Sequence, residues 1–98
     1  MTDAQILRLV GKNVKAARIR ANLTQECLAE LAGVHWQTII NIEAGKTLFS
    51  IPTLVRLGQS LETTPNDLIE GISEPDRERM ARIKRAMARK RRPRRTTN

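Results

Sequence analysis

Residues 24–45 hold two short stretches of helical apolar spacing separated by a single glycine. Thr24 is a favourable N-cap for the first stretch, and Gly33 breaks it. Val34 and Ile39 have the spacing of a hydrophobic staple at the start of the second stretch. The segment is therefore predicted to be two helices joined by a tight turn, over roughly 25–32 and 36–44.

The second helix of this pair has one apolar and one outward side. Val34, Ile39 and Ile42 recur at the spacing that faces a core. Ala29, on the preceding helix, is small at the point where the two helices would cross. The residues predicted on the outward side are Trp36, Gln37, Ile40 and Asn41.

A long first helix is predicted before this pair. Thr2 and Gln5 have the spacing of a capping box, and Asn22 is suited to the left-handed position that follows a helix. The apolar stripe between them consists of Ile6, Val10, Val14, Ala17 and Ala21.

Two further helices are predicted after the pair. Ser50 caps a fourth helix, and Thr64 with Pro65 opens a short fifth one that Gly71 closes. Leu54, Leu57 and Leu61 face the core. No alternating strand pattern is present. The fold class is therefore all-α, with a five-helix domain over residues 1–72.

Residues 73–98 are predicted to form a separate, basic C-terminal extension. Residues 1–73 hold seven basic and seven acidic side chains, whereas residues 74–98 hold eleven basic and three acidic ones. The whole net charge of +8 thus lies in the last quarter of the chain and indicates an acidic partner. Met80, Ile83 and Met87 share one face of a sixth helix, whereas residues 89–98 contain no apolar side chain and are expected to be disordered.

Several classes of protein are disfavoured. Cys27 and His35 are the only residues of their types, so neither an intrachain disulfide nor a zinc site of usual ligand spacing is predicted. No carboxylate pair, nucleophile–base set or phosphate-cradling loop is visible, so we expect no enzyme and no cofactor. Signal-peptide and membrane-spanning patterns are also missing, which favours a cytoplasmic protein.

The run from Leu23 to Lys46 resembles the Cro/repressor-type helix-turn-helix family, also called the xenobiotic-response-element family. The matching residues are Leu23, Thr24, Gln25, Leu28, Ala29, Gly33, Val34, Ile39, Ile42, Glu43, Gly45 and Lys46. The resemblance covers about residues 10–70 and implies a lambda-repressor-like domain whose third helix enters the major groove of double-stranded DNA.

The resemblance also implies roles for individual residues. Gln25 is expected at the DNA backbone, and Lys46 and Thr47 at phosphates. Trp36, Gln37 and Asn41 are expected at base edges or nearby sugar-phosphate. The other residues expected to contact DNA are His35, at the start of the third helix and at phosphate, Thr38 and Ile40. Gln and Asn side chains can each pair with adenine. Arg18 and Glu43 match a partly buried salt bridge that would be structural rather than DNA-binding.

Some of these roles have alternatives. Trp36 and Ile40 are apolar where polar readers are common, and each could pack on the domain or contact thymine methyl groups. The arginine-rich end could contact phosphates, bind a partner protein or RNA, or serve only solubility.

The sequence thus predicts a sequence-specific transcriptional regulator, with repression as its expected mode of action. We expect a homodimer, because dimers of this class read two half-sites about one helical turn apart, and we expect it to associate with the nucleoid. The alternative is an antitoxin or co-regulator module that binds a partner protein through residues 75–98.

Overall fold

The structure is a computed structural model that describes residues 1–71 and 77–90. Within those residues it contains six helices and no strand, which confirms the all-α fold class. The helices are α1 (Asp3–Arg20), α2 (Gln25–Ala32), α3 (Trp36–Glu43), α4 (Ile51–Ser60), α5 (Pro65–Leu68) and α6 (Arg77–Lys90). None of the described helices is long and apolar enough to cross a membrane.

Side-chain caps begin four of these helices, as the sequence predicted. The Thr2 amide donates to Gln5 Oε1 at 2.8 Å, and the Gln5 amide donates back to Thr2 Oγ1 at 3.2 Å. Each such bond satisfies an amide that the first helical turn would otherwise leave without a partner. The hydroxyls of Thr24, Ser50 and Thr64 cap α2, α4 and α5 in the same way.

The core lies where α3 packs against both α1 and α2, with α4 on α2 and with α5 on α1 and α4. Its fully buried side chains of largest volume are Val14, Leu28, Ile39, Ile42, Leu57 and Leu68. Asn13 ties the far end of the domain to α1, because its Nδ2 donates to the carbonyls of Leu68 and Glu70 at 2.9 Å each. The core thus holds α3 on its apolar side and leaves the opposite side free.

The short helix α5 is stabilised at its start by Asp67. The Thr63 hydroxyl donates to Asp67 Oδ2 at 2.8 Å, and the Asp67 amide donates to Thr64 Oγ1. These hydrogen bonds hold the pKa of the Asp67 carboxyl below its ordinary value, the Thr63 bond being the main cause. The ionised form of the carboxyl is therefore favoured at the positive end of the helix.

Some predicted boundaries and faces are wrong in detail. The fifth helix ends at Leu68 rather than Gly71, since Ile69 already leaves helical geometry. Ala21 is exposed because it caps α1 beyond the last core turn. The sixth helix extends through Arg89 and Lys90, which the sequence placed in the disordered end. Two further predictions lie outside the described residues: the domain boundary after residue 72 and the disorder of residues 91–98.

Candidate DNA interface

The turn between α2 and α3 sets the position of the candidate interface. Gly33 has φ 69° and ψ 33°, a left-handed conformation that costs glycine little and most other residues more. The Val34 amide donates to the Ala29 carbonyl at 3.0 Å and closes the turn. Ala29 is buried, so α3 can cross close to α2.

Helix α3 has the two sides that the sequence predicted. Ile39 and Ile42 are completely or almost completely buried, whereas Gln37 is exposed and Asn41 is half-buried. Trp36, at the first helical position, leaves 49% of its surface exposed, and Ile40 is half-buried. The outward side therefore presents two carboxamides beside two apolar side chains.

Gln37 and Asn41 are one helical turn apart and hydrogen-bond to each other. Gln37 Nε2 donates to Asn41 Oδ1 at 3.3 Å. This bond leaves the Gln37 oxygen free to accept, and both Asn41 Nδ2 hydrogens free to donate. It also reduces the freedom of two otherwise flexible side chains. The pair thus offers donors and an acceptor in a restricted arrangement on the outward side of α3.

A largely buried ion pair lies at the far end of α3. Arg18 Nε donates to Glu43 Oε2 at 2.7 Å, and Arg18 Nη2 donates to Glu43 Oε1 at 3.2 Å. The side chains are 13% and 3% exposed, respectively. Arg18 Nη1 also donates to the Leu23 carbonyl, in the connection between α1 and α2. One guanidinium group therefore links α1, the start of the helix-turn-helix and the end of α3.

Gln25 takes part in the same cluster, which the sequence did not suggest. Its Nε2 donates to Glu43 Oε1 at 3.1 Å. The second Nε2 hydrogen has no bond within the described part of the chain. A phosphate contact by Gln25 stays compatible with this geometry, because phosphate oxygens need only a donor.

The other predicted contact residues lie at the two ends of α3. His35 is exposed before the helix and makes no side-chain cap, and Thr38 is half-buried. After the helix, Lys46 is exposed and its amide donates to the Asn41 carbonyl at 2.9 Å. Thr47 is half-buried, and its hydroxyl donates to the Leu48 carbonyl. Among the described residues, no group of His, Cys, Asp and Glu is placed to hold a metal ion.

Three exposed apolar side chains that follow α3 in the chain were missed by the sequence reasoning. Leu48 and Ile51 are each 76% exposed, and Val55 is 38% exposed. Ile51 and Val55 lie one turn apart on α4, on the side away from buried Leu57. The sequence could have indicated Ile51 and Val55, because their spacing places them away from the core-facing stripe of Leu54, Leu57 and Leu61. We call Leu48, Ile51 and Val55 the apolar patch.

Known proteins are similar to this chain in sequence and in fold. The helix-turn-helix family matches residues 14–68. Control protein C.SmaI of Serratia marcescens is 33% identical over 74 residues, covering 70% of this chain and 88% of that protein. The structure of the restriction-modification controller protein C.AhdI from Aeromonas hydrophila is similar, with 27% identity and a TM-score of 0.62 over 63% of this chain and 94% of that one. An HTH_3 family transcriptional regulator from Vibrio cholerae has 25% identity and a TM-score of 0.65, covering 68% of this chain and 38% of that one.

The chain therefore belongs to the helix-turn-helix family. It is a DNA-binding transcriptional regulator with a lambda-repressor-like domain, which confirms the class of protein and the fold that the sequence predicted. The family consists of transcription regulators rather than enzymes.

Proposed function

We propose that this protein regulates transcription by reading a specific duplex sequence with α3. The observation that supports the proposal is the pair formed by Gln37 and Asn41 on the outward side of a helix whose other side is buried. Carboxamides pair with adenine in the major groove, which is wide enough to admit a helix. Trp36 and Ile40, beside the pair, are suited to thymine methyl groups.

Phosphate contacts then set the position of α3 in the groove. We assign these contacts to Lys46, to the chain around Thr47 and to the second Nε2 hydrogen of Gln25, with His35 at the start of α3. These residues lie at the start of α2, just before α3 and just after α3, so they would clamp the DNA backbone on both sides of the groove. Such contacts orient a protein on the duplex, whereas base contacts carry specificity.

Replacing Asn41 with alanine tests the assignment of the reading helix. We expect Asn41→Ala to weaken binding to the preferred site by about 1–3 kcal/mol and to relax the preference at one base pair. Gln37→Ala is expected to have a similar effect. Fluorescence anisotropy with the preferred duplex measures both, and Asn66→Ala, an exposed amide on α5, is the matched control. Normal binding by both α3 variants would contradict the assignment.

The hydrogen bond between Gln37 and Asn41 predicts that the effects of the two substitutions are not additive. The double variant Gln37→Ala/Asn41→Ala should lose less than the two single losses added together, because each single change already removes the arrangement that the pair forms. Additive losses within about 0.5 kcal/mol would show that the two side chains act independently.

We further propose that the protein binds as a homodimer through the apolar patch. Leu48 and Ile51 follow α3 closely in the chain, so pairing of two patches would place two α3 helices side by side. A symmetric contact of this kind uses the same surface on both copies. Two reading helices one turn of DNA apart then fit a two-fold symmetric site. A dimer bound over a promoter would block it, which favours repression.

Ile51→Asp is expected to convert the dimer into a monomer, because the carboxylate would be buried beside its symmetric copy. Folding should be preserved, since Ile51 is exposed and an acidic residue suits the first turn of a helix. Analytical ultracentrifugation measures the change. Ile19→Asp replaces another exposed isoleucine, on α1, and should leave the dimer intact. A dimer that survives Ile51→Asp would place the interface elsewhere.

A further inference from the structure

Helix α6 carries a concentration of charge that the reading of bases by α3 does not explain. Residues 77–90 contain seven basic side chains and one acidic one, within a single helix. The family match ends at residue 68, before this helix begins. A helix of 14 residues is about 21 Å long. Duplex DNA carries about one negative charge per 1.7 Å of its axis, so its charge density is high enough to complement that of α6.

The large apolar side chains of α6 are confined to one face, and its charged residues lie around the rest of the helix. Met80, Ile83 and Met87 are 41–53% exposed and lie along one side. Arg82 and Arg85 lie along the opposite side, since each is two residues from a member of the apolar stripe and residues two apart point in nearly opposite directions. Both arginines are exposed, and their side chains have no hydrogen-bond or ion-pair partner among the described residues. We call this side of α6 the arginine face.

The extension leaves the domain close to the proposed phosphate contacts. A Cβ atom on Gly71 would lie 3.2 Å from Leu9 Cδ1, and one on Gly45 would lie 2.8 Å from Arg8 Cα. Arg8 and Leu9 are consecutive on α1. Gly71, at the end of the domain, and Gly45, which precedes Lys46, therefore approach neighbouring residues of one helix. The chain from residue 71 to residue 77 can span at most about 22 Å. This reach is compatible with contact between α6 and the duplex on which α3 is docked.

We propose that α6 is a second DNA-binding element, whose arginine face contacts phosphates beside the site that α3 reads. Guanidinium groups bind phosphate with paired hydrogen bonds, and such contacts carry no base preference. A second copy of the helix is a poor occupant, because both copies carry the same strong positive charge. The proposal extends the proposed function and can fail separately from it, since α3 alone selects the sequence.

The salt dependence of binding to random-sequence duplex DNA tests this proposal. We expect Arg82→Gln/Arg85→Gln, in the full chain, to reduce the slope of log affinity against log salt by about 1.8, because each phosphate contact contributes about 0.9. The factor by which affinity falls between 50 and 200 mM salt would then be roughly twelve times smaller for the variant than for the unmodified protein. Glutamine is a good helix former, so α6 should persist, and circular dichroism checks this.

The matched control removes the same charge from another side of the same helix. Lys84→Gln/Lys90→Gln lowers the net charge by two at positions that flank the apolar stripe, and it should change the slope by less than half as much. Equal changes in the two variants would overturn the proposal in favour of bulk attraction. Binding to poly-glutamate, a probe for acidic protein partners, is measured for the same variants. If the arginine variant keeps the unmodified slope with DNA but loses binding to poly-glutamate, the result would overturn the proposal in favour of an acidic protein partner.

The preferred sequence separates this proposal from the proposed function. The arginine variant should keep the base preference of the unmodified protein while binding more weakly at every sequence. A change in preferred sequence would show that α6 reads bases and would overturn its role as a phosphate-binding element.

Discussion

Replacing Glu43 with alanine is expected to lower the free energy of unfolding by about 3–5 kcal/mol, the largest loss that we expect from one side chain. Three donors converge on this carboxylate, two from Arg18 and one from Gln25. Because the Arg18 side chain is only 13% exposed, removal of Glu43 would leave its charge buried without a counter-ion. A small domain has about 5–15 kcal/mol of stability in total, so the variant should be close to unfolding.

Urea denaturation followed by circular dichroism measures this loss. Glu30→Ala, which removes an exposed carboxylate from α2, is the control and should change stability by less than about 0.5 kcal/mol. The double variant Arg18→Met/Glu43→Leu should be more stable than Glu43→Ala, because it leaves no unpaired charge. A loss near zero for Glu43→Ala would mean that water compensates the arginine and that the pair does not fix α3.

Replacing Gly11 with alanine is expected to destabilise the domain by about 1–3 kcal/mol through overpacking. Gly11 is buried where α1 meets the end of α3. A Cβ atom there would lie 2.8 Å from the Glu43 carbonyl oxygen and closer still to that of Ile42. Both obstacles are backbone atoms, so α3 itself would have to move. DNA affinity should therefore fall together with stability.

The sign of the change makes this experiment decisive. In an open helix, Gly→Ala stabilises by about 1 kcal/mol through helix propensity, so a stabilised Gly11→Ala variant would contradict the close contact of α1 and α3. Ala16→Gly, on the exposed side of α1, calibrates the propensity effect in the same helix. Thermal unfolding with and without duplex DNA gives the changes in stability and in binding.

Much of this fold could be predicted from the sequence because its local signals agree with its packing. Thr24 caps α2 as expected, Gly33 adopts the left-handed turn, and Asn22 has a positive φ of 59° after α1. Ile39 and Ile42 are buried as the helical spacing indicated. These features depend on residues within about one helical turn of each other, which a sequence displays directly.

The remaining features depend on residues that are distant in the chain. Gln25 and Glu43 are 18 positions apart, so their hydrogen bond could not be inferred from either segment alone. The need for glycine at residue 11 arises only once α3 crosses α1. The ion pair of Arg18 with Glu43 was expected only through the resemblance to a family. Tertiary packing, rather than local propensity, therefore decides how the reading helix is held.

Selection of bound duplexes from a random-sequence pool tests whether α3 reads a specific site. We expect one enriched sequence with two-fold symmetry and half-sites about 10–10.5 base pairs apart, centre to centre. The same selection with Gln37→Ala/Asn41→Ala should lose preference at matching positions in both half-sites. A pool without enrichment, or an enriched sequence that this variant leaves unchanged, would contradict sequence reading by α3.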